Sequence, residues 1–117
     1  MQDAIETRIT EAYNAFNTRD IDGALRCMQP DVQWPNGWEG GYVHGHDAVR
    51  EYWTRQWQQL DPYVTPVAFA KRDDGRTEVS VQQNVKDKQG AAVFNGLVTH
   101  IYTLKNGLIA HMEIEKP

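Results

Sequence analysis

The residues of this sequence best suited to chemistry are one histidine, one glutamine and two tyrosines. His100 lies in a run of β-branched and aromatic residues, AAVFNGLVTHIYTL, and a strand would hold its imidazole in a fixed place. An imidazole titrates near neutral pH, so His100 could act as a general acid or base, or as a hydrogen-bond donor to a ligand. It could equally be a core histidine bonded to Gln83 or Tyr13. Tyr13 and Tyr102 likewise have two interpretations: acids, or packing aromatics with a satisfied hydroxyl.

Two further pairs of residues, each with at least one histidine, are candidates for metal ligands. His44 and His46 lie in a glycine-rich stretch, and His111 shares one strand face with Glu113. Neither pair is followed by a third ligand at a recognisable spacing, and the sequence has no phosphate-binding loop, dinucleotide fingerprint or Ser-His-Asp arrangement. The sequence therefore predicts no metal and no cofactor.

The strand that carries His100 is apolar on both faces. Alternation places Phe94, Gly96 and Val98 on the side of His100, and it places Val93, Leu97 and Ile101 on the opposite side. A sheet with one solvated face would alternate apolar with polar residues, so we expect a core or cavity on one side and a protein surface on the other. This pattern predicts a homodimer through Val93, Leu97 and Ile101.

The turn Lys105-Asn106-Gly107 determines which side of the last strand faces inward. A two-residue Asn-Gly turn would pair His100 with Glu113 and turn acidic side chains into the core. A three-residue loop with a left-handed Gly107 pairs His100 with Met112 instead. It places Ala110, Met112 and Ile114 beside Phe94 and Val98. We predict the second register because it keeps the carboxylates out of a low-dielectric core.

The preceding hairpin brings a second polar residue to the inner face. Its loop length predicts that Val79, Val81, Gln83 and Val85 lie beside Phe94, Gly96, Val98 and His100. The resulting pocket is predicted to bind a neutral hydrophobic ligand, because no lysine or arginine is expected to point inward. Its predicted lining consists of Trp34, Trp53, Gln83, Phe94, Val98, Tyr102, Met112 and Ile114. Whether the pocket is open or filled is left undecided by the sequence.

The remaining elements supply the helices that close this pocket. Helical spacing predicts helices over 3–17 and 46–60, with a short helix between them that begins after Asp20. Asp3 and Glu6 resemble a capping box. Strands are predicted over 31–34, 42–44, 63–72 and 77–86; Pro66 indicates that the third of these lies at a sheet edge, and the glycine-rich loop before 42–44 is a plausible lid. Three helices followed by an antiparallel meander predict an α+β domain whose curved sheet wraps the helices.

Composition limits the classes of partner. The chain has 117 residues, 40% of them hydrophobic and 24% charged, which predicts a single globular domain over 1–117. Its net charge of −4 gives no electrostatic footprint for nucleic acid or an anionic membrane. Cys27 is the single cysteine, and the first residues lack the pattern of a signal peptide. We therefore expect a cytoplasmic protein.

Three segments carry a resemblance to a known family: AYNAFNTRDIDGALRCMQPDVQW, GHDAVREYW and VTHIYTLKNGLIAHMEI. Together with the order of elements, they resemble the SnoaL-like branch of the nuclear transport factor 2-like superfamily, over essentially the whole chain. The resemblance implies a cone-shaped, cystatin-like α+β barrel that usually dimerises through its outer sheet face. Because the superfamily includes ketosteroid isomerases, polyketide cyclases, epoxide hydrolases, dehydratases and non-catalytic members, the resemblance implies the fold and not the function.

The catalytic residues of the isomerases do not carry over to this sequence. On the resemblance, the isomerase tyrosine of the first helix falls at Ala12, one place before Tyr13. Its general-base aspartate falls near Asn36, which cannot accept a proton at neutral pH, and its second oxyanion donor falls at His100. The Asp-Arg-Asp arrangement of the hydrolases is not visible either. The usual isomerase chemistry is therefore not expected.

Two functions from different classes follow. The absence of an inward carboxylate favours a binding protein for a neutral hydrophobic small molecule. The alternative is a cofactor-free isomerase, cyclase or dehydratase that uses His100 as acid or base, with Tyr13, Tyr102 or Gln83 stabilising an enolate or alkoxide.

Overall fold

A curved, mixed β-sheet forms the framework on which the helices pack. The computed structural model describes residues 4–36 and 40–115. In this part of the chain the helices are α1 (Ala4–Asn17), α2 (Ile21–Leu25) and α3 (Gly45–Gln59). The strands are β1 (Met28–Pro35), β2 (Tyr42–His44), β3 (Leu60–Lys71), β4 (Thr77–Asp87), β5 (Ala92–Lys105) and β6 (Leu108–Glu115). This order confirms the predicted α+β class.

The sheet is open, with two edge strands. Its strand order is β2-β1-β6-β5-β4-β3, so β2 and β3 form the edges among the described strands. Pro66 lies in β3, as its missing N–H predicts, and the β3–β4 register shifts between Pro66 and Ala68. The predicted all-antiparallel pairing is wrong at one place, because β1 pairs in parallel with β6. The local sequence pattern identifies β1 as a strand but contains no information about its distant partner.

The helices begin and pack as their sequence patterns predict. α1 buries Ile9, Ala12 and Tyr13 on one face. The Asp20 side chain accepts a hydrogen bond from the Gly23 backbone N–H at 3.0 Å, which caps α2. Asp3 of the predicted capping box and the centre of the predicted lid lie outside the described residues. These helices cover the inner face of the sheet and form the core with it.

The hairpin between β4 and β5 confirms the predicted inner face. Val79 pairs with His100, Val81 with Val98, Gln83 with Gly96, and Val85 with Phe94. Since the side-chain period of a strand is two, each of these pairs projects to the same face of the sheet. His100 therefore points toward the helices.

The hairpin between β5 and β6 has the predicted faces but a different turn. The connection is the two-residue turn Asn106-Gly107, with φ of 54° and 79°, and Lys105 pairs with Leu108. The register then shifts between Thr103 and Leu104, so that Ala110 is the extra residue of a β-bulge.

Because the bulge adds one residue, Met112 and Ile114 lie on the same face of the sheet as the predicted three-residue loop would have placed them. His100 pairs with Ile114, not with Met112 as predicted, and Met112 pairs with Tyr102. Met112 is buried on the inner face. Of the predicted inward residues, Ala110 is replaced in the core by Ile109, which is fully buried.

The outer face of β5 differs from the prediction at one residue. Val93 and Leu97 are 57% and 61% exposed, but Ile101 is only 2% exposed. Ile101 lies between Glu78 and Glu113 in the sheet, and both carboxylates are held by arginines: Arg72 contacts Glu78 at 2.9 Å and Arg76 contacts Glu113 at 3.4 Å. The prediction that Ile101 is a solvent-exposed interface residue is therefore wrong, because it is already buried within one chain.

Candidate functional site

A chain of three hydrogen-bonded side chains joins the first helix to the centre of the sheet. Tyr102 donates from its hydroxyl to the Tyr13 hydroxyl at 2.7 Å, and the Tyr13 hydroxyl lies 2.8 Å from His100 Nδ1. Tyr13 comes from α1, whereas His100 and Tyr102 are two residues apart on β5 and share its inner face. The structure thus brings together three of the residues singled out in the sequence.

All three side chains are neutral at pH 7, the tyrosines by their ordinary chemistry and His100 because it is buried. Tyr102 is fully buried, and His100 is 6% exposed. Desolvation lowers the pKa of His100 from its ordinary value of 6.5 to about 4. Desolvation also raises the pKa of Tyr13, with a further contribution from Tyr102, and it raises the pKa of Tyr102. The three hydrogen-bonded side chains therefore present dipoles and carry no charge.

The order of donors determines which nitrogen of His100 carries the proton. Each tyrosine has one hydroxyl proton, and Tyr13 is the hydrogen-bond partner of the Tyr102 hydroxyl among the described residues. When Tyr102 donates to Tyr13, Tyr13 can donate to His100 Nδ1, and the imidazole proton lies on Nε2. The reverse order would leave the Tyr102 O–H buried without an acceptor, at a cost of about 1–3 kcal/mol. We therefore assign the Nε2–H tautomer.

The Nε2–H of His100 is the free end of this chain. It makes no hydrogen bond to a residue in the ranges 4–36 and 40–115. Within the same ranges, Trp57 Nε1 is the side-chain nitrogen or oxygen that is fully buried without a partner. His100 itself is 6% exposed, so the group that carries Nε2 lies near the limit of the buried core.

Aromatic side chains surround the histidine and the tyrosines. The ring centroids of Trp34 and Tyr102 are 6.3 Å apart, and those of Trp34 and Trp53 are 5.5 Å apart in an edge-to-face arrangement. Trp53 is 2% exposed, whereas Trp34 is half-buried. Val98, also half-buried, packs against the same core. Of the predicted pocket lining, Trp34, Trp53, Val98, Tyr102 and Met112 thus lie in or against one core.

Gln83 is on the predicted face but is not a partner of His100. It pairs with Gly96, four residues from His100 along β5, which corresponds to about 13 Å of strand. The hydrogen bond to His100 comes from Tyr13, one of the two partners considered for a core histidine. The i, i+2 spacing of His100 and Tyr102 was the sequence signal for this group, but Tyr13 is 87 residues from His100 along the chain.

The other histidines have ordinary structural surroundings. His46 Nε2 is 3.1 Å from the Met28 carbonyl oxygen, and His111 contacts Gln33 Oε1 at 2.9 Å and Glu113 Oε1 at 3.1 Å on the outer face. Among the residues that the structure describes, no group of three or more His, Cys, Asp or Glu side chains is placed to hold a metal ion. In the same residues, no helix is long and apolar enough to cross a membrane.

Comparison with known proteins identifies the family. A family model described as the SnoaL-like domain matches residues 9–112. The chain belongs to the SnoaL-like family. A comparison with curated protein sequences gives no match.

Solved structures share this fold over almost the whole chain. An NTF2-like protein of unknown function from Burkholderia pseudomallei is 24% identical, with a TM-score of 0.84 over 97% of this chain and 91% of that one. TerC, co-crystallized with polyporic acid, is 28% identical, with the same TM-score and the same coverage. A Mycobacterium tuberculosis protein in complex with estradiol-17β-hemisuccinate is 16% identical, with a TM-score of 0.84 over 99% of this chain and 95% of that one.

Among the described residues of this SnoaL-like domain, no carboxylate is buried. Among the described residues, the buried polar side chains are Asn36, Thr77 and His100. A general base of the aspartate or glutamate type is therefore not available inside the described core. The buried polar side chains of the described core are therefore all neutral.

Proposed function

We propose that this SnoaL-like domain binds a neutral, mostly apolar small molecule whose oxygen accepts a hydrogen bond from His100 Nε2. The observation that carries the proposal is the Tyr102–Tyr13–His100 chain, which leaves one N–H without a described partner on the inner face. A carbonyl or hydroxyl oxygen is the natural acceptor for such a donor. Trp34, Trp53, Val98 and Met112 supply apolar and aromatic surface beside it.

Two proteins of the same fold support a small-molecule ligand. TerC was co-crystallized with polyporic acid, and the M. tuberculosis protein is in complex with a steroid derivative. Both ligands contain rings, which suits a site with two tryptophans. The shared fold does not determine the ligand of this chain, so the argument for a ring compound rests on its own aromatic residues.

Charge complementarity favours a neutral ligand. The chain carries a net charge of −4, and no lysine or arginine is buried among the described residues. A phosphorylated ligand would be desolvated in this core without a paired charge, at a cost of several kcal/mol. Nucleotides and sugar phosphates are therefore not expected to bind.

The same donor would serve a cofactor-free isomerase, cyclase or dehydratase by polarising a carbonyl group. Such an enzyme also needs a base, and a histidine with a pKa of about 4 that carries its proton on Nε2 is a weak one. No described residue of the core supplies a carboxylate in its place. We therefore propose binding as the function, with turnover of a bound ketone as the result that would favour the enzyme.

The proposal can be tested by comparing two histidine variants. Binding of estradiol, a flat neutral molecule, is measured by quenching of tryptophan fluorescence and by thermal shift, with ATP and glucose 6-phosphate as charged comparisons. We expect estradiol to bind and His100→Leu to weaken it at least about 10-fold, since a buried donor is lost. His111→Leu, on the outer face, is the matched control and should bind normally. Stabilisation by the phosphates alone, or unchanged affinity in His100→Leu, would refute the proposal.

The outer sheet face is the proposed site of homodimerisation. Val93 and Leu97 are both more than half exposed, and apolar side chains at this exposure favour a protein contact. We expect sedimentation velocity at micromolar concentration to detect a dimer, and Leu97→Asp to convert it to a monomer that melts at a lower temperature, because the stabilisation by association is lost. A monomeric wild type would contradict this part of the proposal.

The proposal also includes the domain organisation and the cellular location of the protein. The buried residues of the described chain form one core, which supports a single domain over 1–117. Cys27 is buried and unpaired, which supports the expected cytoplasmic location.

A further inference from the structure

The inner face of β5 passes from buried to exposed along its length. His100 is 6% exposed, Val98 and Gly96 are half-buried, and Phe94 is 44% exposed. All four residues project to the same side of the sheet, because they alternate along one strand. The exposure of this line of residues therefore decreases from Phe94 to His100.

Phe94 lies over a glycine on this line. A Cβ atom built on Gly96 would be 3.3 Å from Phe94 Cζ and 3.7 Å from Phe94 Cε2. Gly96 is not one of the glycines with positive φ, so its extended backbone would accept any residue type. The role of the glycine at this position is therefore the space that it leaves for the aromatic ring.

Gln83 is the third residue at this end of the inner face. It is opposite Gly96 on β4, half-buried, and its side-chain amide makes no hydrogen bond to any residue of 4–36 or 40–115. The next residue, Gln82, is on the other face and donates to Asn95 Oδ1 at 2.7 Å. An unused amide with both donor and acceptor atoms thus adjoins an exposed aromatic face at the open end of the site.

We propose that Phe94, Gly96 and Gln83 form an outer subsite that binds the far end of the ligand whose near end is at His100. The inference rests on the proposed function and specifies the class of ligand. About 13 Å of strand separates Gly96 from His100, which suits a rigid molecule of several rings with an oxygen at each end. One oxygen accepts from His100 Nε2, the last ring stacks on Phe94, and the Gln83 amide bonds to the second oxygen.

A purely structural role for Phe94 makes a different prediction. An aromatic side chain that covers a strand glycine can stabilise the sheet without contacting a ligand. In that case Phe94→Ala would lower the melting temperature and leave ligand affinity unchanged. The outer subsite instead requires a loss of affinity, and it requires Gln83 to distinguish ligands by their second oxygen.

The experiment measures two probes that differ by one oxygen. Estradiol has a hydroxyl at each end, and 17-deoxyestradiol has only the phenolic one. Dissociation constants come from tryptophan fluorescence quenching of the full chain. The variants are Gln83→Leu, Phe94→Ala and Gly96→Val, and the control is Gln82→Leu, which makes the same change on the opposite face of β4.

We expect the wild type and Gln82→Leu to bind estradiol about 5- to 10-fold more tightly than 17-deoxyestradiol, the effect of one hydrogen bond. Gln83→Leu should abolish that ratio while 17-deoxyestradiol binds as before. Phe94→Ala and Gly96→Val should weaken both probes, the second because its side chain displaces the ring.

The possible failures are distinguishable. If both probes bind, His100→Leu weakens both, and Gln83→Leu leaves the ratio unchanged, the outer subsite is refuted and the proposed function stands. If neither probe binds the wild type, both are refuted. A loss of stability in Phe94→Ala with unchanged affinity would assign Phe94 to the structural role.

Discussion

The two halves of β5 have the same sequence character but opposite surroundings. Residues 99–105 pair with β4, β6 or both, and the consecutive residues His100, Ile101 and Tyr102 are all buried, although they point to alternate faces. Residues 92–98 pair only with β4 among the described strands, and Val93, Phe94 and Leu97 are all more than 40% exposed. The half formed by 99–105 is buried on both faces of the sheet, and the half formed by 92–98 exposes apolar side chains on both faces.

This difference separates two roles within one strand. In the buried half, α1 covers one face with Tyr13, and the ion pairs of Arg72 and Arg76 flank the other. Groups there are rigid and desolvated, which suits a fixed hydrogen-bond donor. In the open half, apolar side chains remain available on both faces. We infer that this half contacts the ligand on its inner face and a second copy of the chain on its outer face.

The largest expected effect tests the comparison directly, with two substitutions on one face of β5. Ile101→Ala should lower the free energy of unfolding by about 2–4 kcal/mol, because it opens a cavity at a residue that is 2% exposed. Leu97→Ala, at 61% exposure, should cost less than about 0.5 kcal/mol in the monomer. Urea denaturation at low protein concentration measures both. Equal costs would show that the two halves do not differ as described.

The hydrogen-bond chain of the buried half gives the next effect. Tyr13→Phe should cost about 2–3 kcal/mol, because it leaves both the Tyr102 hydroxyl and His100 Nδ1 without their partner. Tyr102→Phe removes only the end of the chain and should cost about 1 kcal/mol. The same denaturation experiment compares them. If Tyr102→Phe costs more, the donor order assigned to the chain is incorrect.

The depressed pKa of His100 predicts a loss of stability in mild acid. The unfolded chain binds the imidazole proton near pH 6.5, whereas the folded chain binds it only near pH 4. Acid therefore favours the unfolded state, and stability that is present above pH 6.5 is lost as the pH falls toward 4. The loss between pH 7 and pH 5 should be about 2 kcal/mol.

His100→Gln provides the reference for this pH dependence. This variant lacks the titrating group. Between pH 7 and pH 5 it should therefore lose about 2 kcal/mol less stability than the wild type loses. His111→Gln, at the sheet surface, is the control and should follow the wild type. Parallel curves for wild type and His100→Gln would mean that His100 is not desolvated.

The smallest effect is expected from the ion pairs beside Ile101. Arg72 contacts Glu78 and Glu115, each at 2.9 Å, but these side chains are partly solvated. Arg72→Ala should therefore cost less than about 1 kcal/mol, and the difference should shrink at 1 M salt. A cost near that of Ile101→Ala would show that the arginine, and not the packing of the isoleucine, keeps the outer face closed.

The sequence predicted the elements well because their signals are local. Helical spacing identified α1 and α3, Asp20 identified the start of α2, and the parity of the β4–β5 loop predicted which residues of the two strands share the inner face. The β5–β6 prediction reached the correct face by a wrong turn. The choice between a three-residue loop and a two-residue turn with a later bulge is not encoded in side-chain alternation, since both restore the same parity.

The candidate site depended more on tertiary structure. The types of His100, Tyr13 and Tyr102 and their places on a strand and a helix were readable from the sequence. Their order in one hydrogen-bond chain required α1 to pack against β5, and only that order determines that His100 is a donor at Nε2. Gln83 was correctly placed on the inner face, yet distance along the strand separates it from His100 and gives it a different role.

The sequence by itself therefore determined the α+β class and the inner face of the sheet, since these follow from the local periodicity and types of the residues, while three segments of it carried the resemblance to the SnoaL-like family. Tertiary structure decided that Ile101 is buried while Leu97 is exposed, although both are apolar residues on one face of one strand. Burial depends on what packs over a residue. Ile101 lies between Glu78 and Glu113, whose carboxylates pair with Arg72 and Arg76 from other parts of the chain, so the pattern of β5 alone contains no information about these neighbours.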